Sequence, residues 1–460
     1  MAVRRTLDLV QQFALSFHPR SLPPMLRATY SRELLAWMFL PIMLGAVEGG
    51  TMAVIVKKAF AGAPGVSDAW LDWAVATVTA APTVANLTSF WWASLSSGRG
   101  KVRFISALQV ATSVCVALIA LAPWNAFGLA LLVLLTLVAR TTWTGVVTIR
   151  TAVWGANYPK ADRARIAGKM ATVQSIALAL VGVLIGTAMD RDSGAFHWLF
   201  PMVATGGIVG TLIYRRVRLR GQRRLARAEL DGRAGRRPSF SLVGIARVLA
   251  EDALYRKFMF WMFIFGLGNL MLQAPLAIVL VDGFAVGYRE SILITAAIPA
   301  ILMPLSIPAW SRLLDRRHVV EFRAVHAWSF VLASLLQVLG SAFGSLALFF
   351  AASVATGVAF GGGVLAWNLG HHDFAPAHRD SEYMGVHVTL TGVRGLIAPF
   401  LAVSIYRHFD QGVAGAAGAG VWVFGVCFAL NVIGALGFVR MRRTLLAARA
   451  ASGPAVAGHD

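Results

Sequence analysis

The chain has 460 residues, of which 57% are apolar and only 14% charged, and its mean hydropathy is +0.68. A soluble domain carries about 25% charged residues, so a protein with a fully hydrated surface is excluded and lipid is the solvent that suits this one. The formal charge of +21 does not indicate nucleic acid, because the basic residues fall between apolar stretches rather than on one soluble face.

In chain order, a basic segment at 1–33 lacks an early apolar region with a cleavage site, so no removable signal peptide is expected and the first span serves as the insertion signal. Twelve apolar helices follow, at roughly 34–57, 71–94, 104–122, 126–149, 168–189, 197–214, 257–281, 289–311, 322–341, 345–368, 384–406 and 417–439. Each is near the ~20 residues that cross ~30 Å of hydrocarbon. The shortest connections lie at Trp124–Asn125 and near Gly344. The expected fold is an all-α membrane protein of twelve transmembrane helices in two pseudo-symmetric six-helix bundles, 34–214 and 257–440. A basic linker at 215–256 joins them and a tail at 441–460 ends the chain. Cys115 and Cys427 lie inside apolar stretches and form no ligand pattern.

Orientation follows from the 42 Lys and Arg residues. Twelve spans put both ends on one side. Lys57, Lys58, Arg191, Arg289 and Arg407 fall on the opposite side, Arg140 and Arg394 fall inside spans, and the remainder flank the side of the termini. That asymmetry predicts cytoplasmic termini in a bacterial-type inner membrane. The linker, rich in arginine at Arg215–Arg220 and Arg236–Arg237, reads as a solvated connection that also fixes topology, with binding of anionic lipid headgroups as the alternative.

A shift of 217 residues superposes informative positions of the two halves. Ala80-Ala81-Pro82 falls on Ala297-Ile298-Pro299, Ser94 on Ser311, Arg99 on Arg316, Pro159 on Pro376, Gly168 on Gly385 and Thr172 on Thr389. A duplicated six-helix unit is a pattern of transporters, which hold substrate near the midplane between the halves. On twelve spans, this repeat, the basic central loop and the loop after the second span of each half, the chain resembles the major facilitator superfamily over essentially its whole length. That family's loop reads Gly-x-x-x-Asp-Arg-x-Gly-Arg-Arg. The second half keeps the acid–base pair in Ser311-Arg312-Leu313-Leu314-Asp315-Arg316-Arg317-His318, whereas the first half, Ser94-Leu95-Ser96-Ser97-Gly98-Arg99-Gly100-Lys101, has Gly98 where the Asp belongs. The resemblance implies alternating access by two rocking bundles, with Arg99, Lys101, Asp315 and Arg316 in cytoplasmic gating loops.

Charges inside spans are costly unless paired, so they mark candidate sites. Glu48 lies among Gly45, Gly49 and Gly50 in the first span and can exchange a proton during a cycle; the alternative is a static ion pair. Arg140, in a fourth-span pattern similar to the family's Arg-x-x-x-Gly with Gly145 one place late, is its expected partner in proton coupling; a structural, snorkelling Arg140 is the alternative. His387, Thr391 and Arg394 share one face of the eleventh span, suited to an anionic or hydroxylated substrate or to a polar seam between helices. Asn269 and Gln273 in the seventh span are also candidate substrate ligands, as is Asn86 in the second. An offset near 225 sets Gln273 opposite Glu48.

Other features are discounted. His371-His372-Asp373 with His378 reads as a helix end rather than a metal site, Trp91, Trp92 and Trp261 as aromatic-belt residues, and Gly361-Gly362-Gly363 lacks the Lys-Ser/Thr of a phosphate loop. No cofactor, metal or nucleic acid is expected. The resulting expectation is a monomeric, proton-coupled secondary transporter of a small-molecule substrate, its cavity between 30–215 and 257–440. The alternative is a transporter-like receptor or assembly factor that binds without moving its ligand.

Overall fold

The computed structural model describes residues 11, 15–231, 242–376, 379–410 and 415–451. Arg236, Arg237 and His378 lie outside them. Among the described residues the protein is all-helical, with no strand. Eleven helices among these residues are long and apolar enough to cross a membrane. The twelfth span, second in the chain, runs Asp68–Ala85, turns at Asn86–Thr88 and continues through Ser89–Leu95. Asp68 and Asp72 lower the hydropathy of its first turns.

The first half comprises a first span in two pieces, Pro24–Ala46 and Gly49–Ala59, then Lys101–Ile119, Ala126–Asn157, Lys160–Arg191 and Phe196–Tyr214 after the second span. The second half has a seventh span of Ala253–Met271 and Gln273–Ile278 and an eighth ending in Ile298–Leu314. Val319–Ala342, Leu346–Leu369, Asp380–Asp410 and Gly415–Ala451 complete it. Counterparts start within about three residues of the sequence repeat: Lys101 with Val319, Ala126 with Leu346, Lys160 with Asp380.

Local chemistry explains the boundaries. The first helix begins at Pro24, ahead of the expected residue 34, because proline fixes a helical φ and needs no amide partner in a first turn. It ends where Val47 donates back to the Leu44 carbonyl at 3.1 Å and Glu48 turns extended, φ −69° and ψ 139°. The short connection into the fourth span works because the Asn125 side chain accepts from the Gly128 amide at 2.9 Å. A Cβ on Gly128 would stand 1.7 Å from the Pro123 carbonyl oxygen, so only glycine fits. The seventh and eighth spans each widen into one π-turn, Val279–Gly283 and Leu293–Ala297, which bends them.

Within each half the spans form a bundle: the first packs on the fifth and sixth, the third on the fourth, the seventh and ninth on the twelfth, and the eighth on the tenth. The halves meet where the second span packs on the eleventh and the fifth on the eighth. Leu180 and Leu184, four residues apart, are 59% and 62% exposed on the outer face of the fifth span. Such a stripe costs nothing against lipid tails.

Candidate functional site

The break in the first span sets the geometry of the centre. Glu48 sits at that break, and its Oε2 accepts from an Arg140 guanidinium nitrogen at 3.3 Å. The Glu48 side chain is 35% exposed and that of Arg140 15%, so the pair is not sealed, and Glu48 lines a hollow. That hollow, about 190 Å³, is lined from the first half by Glu48, Gly50, Gln174 and Ser175 and from the second by Gln273, Thr295, Pro299, Met303 and Phe360. Gln273 begins the second piece of the seventh span, as Gly49 begins that of the first. Two broken helices thus present their polar residues to one space between the bundles, an arrangement that exposes helix-end backbone only where it lines a cavity. A second hollow of about 270 Å³ lies between the second and fourth spans, far from Glu48 in character: Trp70, Trp73, Leu134 and Leu137 make it apolar.

The bundles approach closely beside this cavity. A Cβ on Gly50 would lie 2.8 Å from the Thr295 carbonyl oxygen, and the Thr295 hydroxyl donates to the Gly50 carbonyl at 3.3 Å. Of the other expected ligands, Asn269 is half-buried with its Oδ1 unpartnered, and Asn86 closes the first helix of the second span, its carbonyl accepting from Ser89 at 2.6 Å. Neither lines the cavity.

His387, Thr391 and Arg394 do share a face, and that face is turned into the C-terminal bundle rather than onto the central cavity. All three are buried, Arg394 being 3% exposed. One Arg394 nitrogen donates to the Met262 carbonyl and another to the Thr391 hydroxyl at 2.7 Å. Gly266 leaves the room the guanidinium occupies. Arg323 of the ninth span joins them, held 3.1 Å from His326 and 6.0 Å from the Phe265 ring centre.

At the face opposite the termini, charges tie the bundles together. Lys57 lies 2.6 Å from both Asp72 and Asp282, and Arg407 donates to Asp72 at 2.9 Å. Lys57 and Asp72 come from the first half, Asp282 and Arg407 from the second, and the side chains of Lys57 and Asp72 are each 4% exposed. Lys58 donates to the Val286 carbonyl at 2.6 Å, and Asp190 accepts from the Tyr288 and Arg289 amides at 2.6 and 2.9 Å. In the sequence these basic residues carry a signal of orientation, whereas their pairing with acidic residues leaves no local mark, because every pairing between halves spans a large separation along the chain.

At the face of the termini, the loop after the second span finds its carboxylate elsewhere. Glu229, at the end of the linker helix Gln222–Leu230, accepts from the Gly98 amide at 2.7 Å and from Lys101 at 2.9 Å. Lys101 is buried and also donates to the Ser96 carbonyl at 2.7 Å. Gly98 has φ +71°, which favours glycine, and Leu230 packs where its Cβ would be. Arg99, Asp315 and Arg316 are exposed. In the second half Asp373 accepts from the Val319 amide at 2.5 Å, capping the ninth span.

The terminal end of the first bundle holds one more polar cluster. Glu33 is 2% exposed and accepts from Tyr158 at 2.9 Å and Trp154 at 3.0 Å. The Arg150 guanidinium stacks between Trp37 and Trp154, 4.0 and 4.4 Å from their ring centres. Buried rings and hydrogen bonds offset part of the desolvation cost of these charges.

Two duplicated bundles around a central polar hollow define a polytopic membrane transport protein. A sequence model of the Major Facilitator Superfamily matches residues 35–399, and the chain belongs to that family. Solved structures share the fold at low identity. A mutant of the nucleoside transporter NupG is 12% identical over 90% of this chain and 99% of its own, with a TM-score of 0.64. The xylose transporter XylE from E. coli, in a partially occluded inward-open conformation, is 12% identical over 88% and 97%, at 0.59. A bacterial homologue of the human lysosomal transporter Spinster, inward-facing and unoccupied, is 16% identical over 91% and 98%, at 0.58. No curated protein matches the chain.

Proposed function

We propose that the protein is a secondary transporter that moves a small solute by alternating access and couples that movement to protons through Glu48 and Arg140. The observation that carries this reading is the ion pair itself: a carboxylate at a helix break, 3.3 Å from an arginine, facing a cavity shared by both bundles. A proton arriving on Glu48 would neutralise it and release Arg140, changing the charge of the cavity at the moment of solute exchange. Gln273, Gln174, Ser175 and Thr295 supply hydrogen bonds to the solute, while Pro299, Met303 and Phe360 supply apolar contact. The ion-paired face at Lys57, Asp72, Asp282 and Arg407 corresponds to a state closed on that side. With cytoplasmic termini in an inner membrane, as the distribution of basic residues supports, that closed side is the outer one.

The test is reconstitution of the purified protein in proteoliposomes with a candidate solute. Glu48→Gln should abolish accumulation driven by a pH gradient while solute exchange persists. Gradient dependence equal to that of the unaltered protein would refute the coupling role, and absence of counterflow with every solute that binds would favour a receptor instead.

A further inference from the structure

We infer that the C-terminal bundle contains a binding site for a small oxyanion, a carboxylate or phosphate group, held by Arg323 and Arg394 with His387. The site is separate from the central cavity, and the inference does not depend on the coupling role given to Glu48.

The argument begins with charge that has nowhere to go. Arg323 and Arg394 are each 3% exposed, on the ninth and eleventh spans. Both lie against the seventh span at neighbouring residues, Arg323 beside Phe265 and Arg394 beside Gly266. Arg323 is in contact with the His326 imidazole, and Arg394 with the Met262 carbonyl and the Thr391 hydroxyl, all formally neutral partners. Among the described residues, no ion pair with a carboxylate involves either arginine, in contrast to Arg140, Arg379 and Arg407.

A buried lysine or histidine in this position would shed its proton. A guanidinium does not. Two such groups inside a bundle therefore repel each other through a medium that screens poorly, and each carries the desolvation cost of an unpaired charge. The donors left over point to what neutralises them. The Nε of Arg323, the Nε of Arg394 and the Nε2 of His387 are buried and all lack a partner. His387 shares one face of the eleventh span with Arg394, two turns away, and Trp367 stacks edge-on against its ring at 5.7 Å between centres. Planar guanidinium donors match the oxygens of a carboxylate or phosphate and hold them more strongly than neutral donors do. A lipid headgroup is disfavoured as the source because both arginines are turned inward, away from the lipid surface.

The experiment uses the full-length protein in detergent, unfolding being followed by tryptophan fluorescence. Sodium phosphate and sodium acetate are titrated against sodium chloride at matched ionic strength. Phosphate or acetate should raise the unfolding midpoint saturably, chloride should not, and Arg323→Gln or Arg394→Gln should weaken the response by about ten-fold or more, as loss of a charged hydrogen bond requires. Should the glutamine variants fail to fold, equilibrium dialysis with radiolabelled phosphate compares the natural chain with Arg323→Lys, which keeps the charge but loses the planar fork. Saturable binding weakened in the lysine variant supports the site. No saturable binding to the natural chain overturns it, as does a stabilisation that chloride reproduces or that the glutamine variants retain in full.

Discussion

Asp72→Asn is the most direct probe of the face opposite the termini. The Asp72 carboxylate accepts from Lys57 within its own bundle and from Arg407 of the other, at 2.6 and 2.9 Å. Removing one partner of a buried pair costs about 3–5 kcal/mol in all, but the Lys57 share acts whether the face is closed or open. Of the two bonds that Asp72 makes, only that to Arg407 crosses between the bundles and separates the two states, and the Lys57–Asp282 pair stays in place. Arg407 is 21% exposed, so its charged hydrogen bond sits in the lower part of the range of about 1.5–3 kcal/mol. A value of about 2 kcal/mol shifts the closed–open equilibrium about 30-fold towards open, at about 1.4 kcal/mol per tenfold. The assay places a single cysteine at Ser175, which lines the cavity, in a background with Cys115 and Cys427 replaced by alanine. An impermeant maleimide is then applied from the side opposite the termini. The variant should label about 30-fold faster, and Arg407→Gln should do the same, with the double variant no faster than either single one. Equal labelling rates in all four proteins would show that this network does not hold the face shut.

Three further outcomes follow from the geometry. Gly50→Ala puts a Cβ 2.8 Å from the Thr295 carbonyl and should slow solute exchange, seen as reduced counterflow, while the unfolding midpoint changes little because the clash exists only where the bundles touch. Glu229→Gln leaves the buried Lys101 ammonium without its carboxylate and should destabilise the protein by about 1–3 kcal/mol, read as a lower midpoint of thermal unfolding in detergent; an unchanged midpoint would mean that the linker helix is not docked in solution. Glu33→Ala removes the acceptor shared by Tyr158 and Trp154 and should cost about 1–3 kcal/mol in the same assay. A loss below about 1 kcal/mol would show that water already serves those donors.

The fold was legible because each span is an apolar block bounded by charge, and because duplication repeats the blocks at a constant offset. Glu48 and Gln273, which both line the central cavity, stand out in the sequence as polar residues inside such a block, and an offset near 225, eight more than that of the repeat, sets one opposite the other. Three things were hidden. The first helix starts at Pro24 because Arg27, Arg32 and Glu33 dilute its hydropathy without breaking its hydrogen bonds. The partners of Lys57 and Arg407 come from distant parts of the chain, and pairing across halves leaves no local mark. Arg323, close to a span end, resembled the flanking basic residues that set topology, whereas the ninth helix turns it inward to Phe265 and His326. The direction in which a long side chain points at a helix end depends on its neighbours, not on its position in the block.

The docking of Glu229 has a practical corollary for anyone dividing this chain into two co-expressed halves. Cutting ahead of Gln222 would strip the N-terminal fragment of the one carboxylate that seats its loop at Gly98 and Lys101. Cutting after Asp231 leaves that fragment self-contained. The helix Gln222–Leu230 thus belongs with the first bundle, and the seam for such a division falls past that helix rather than at its start.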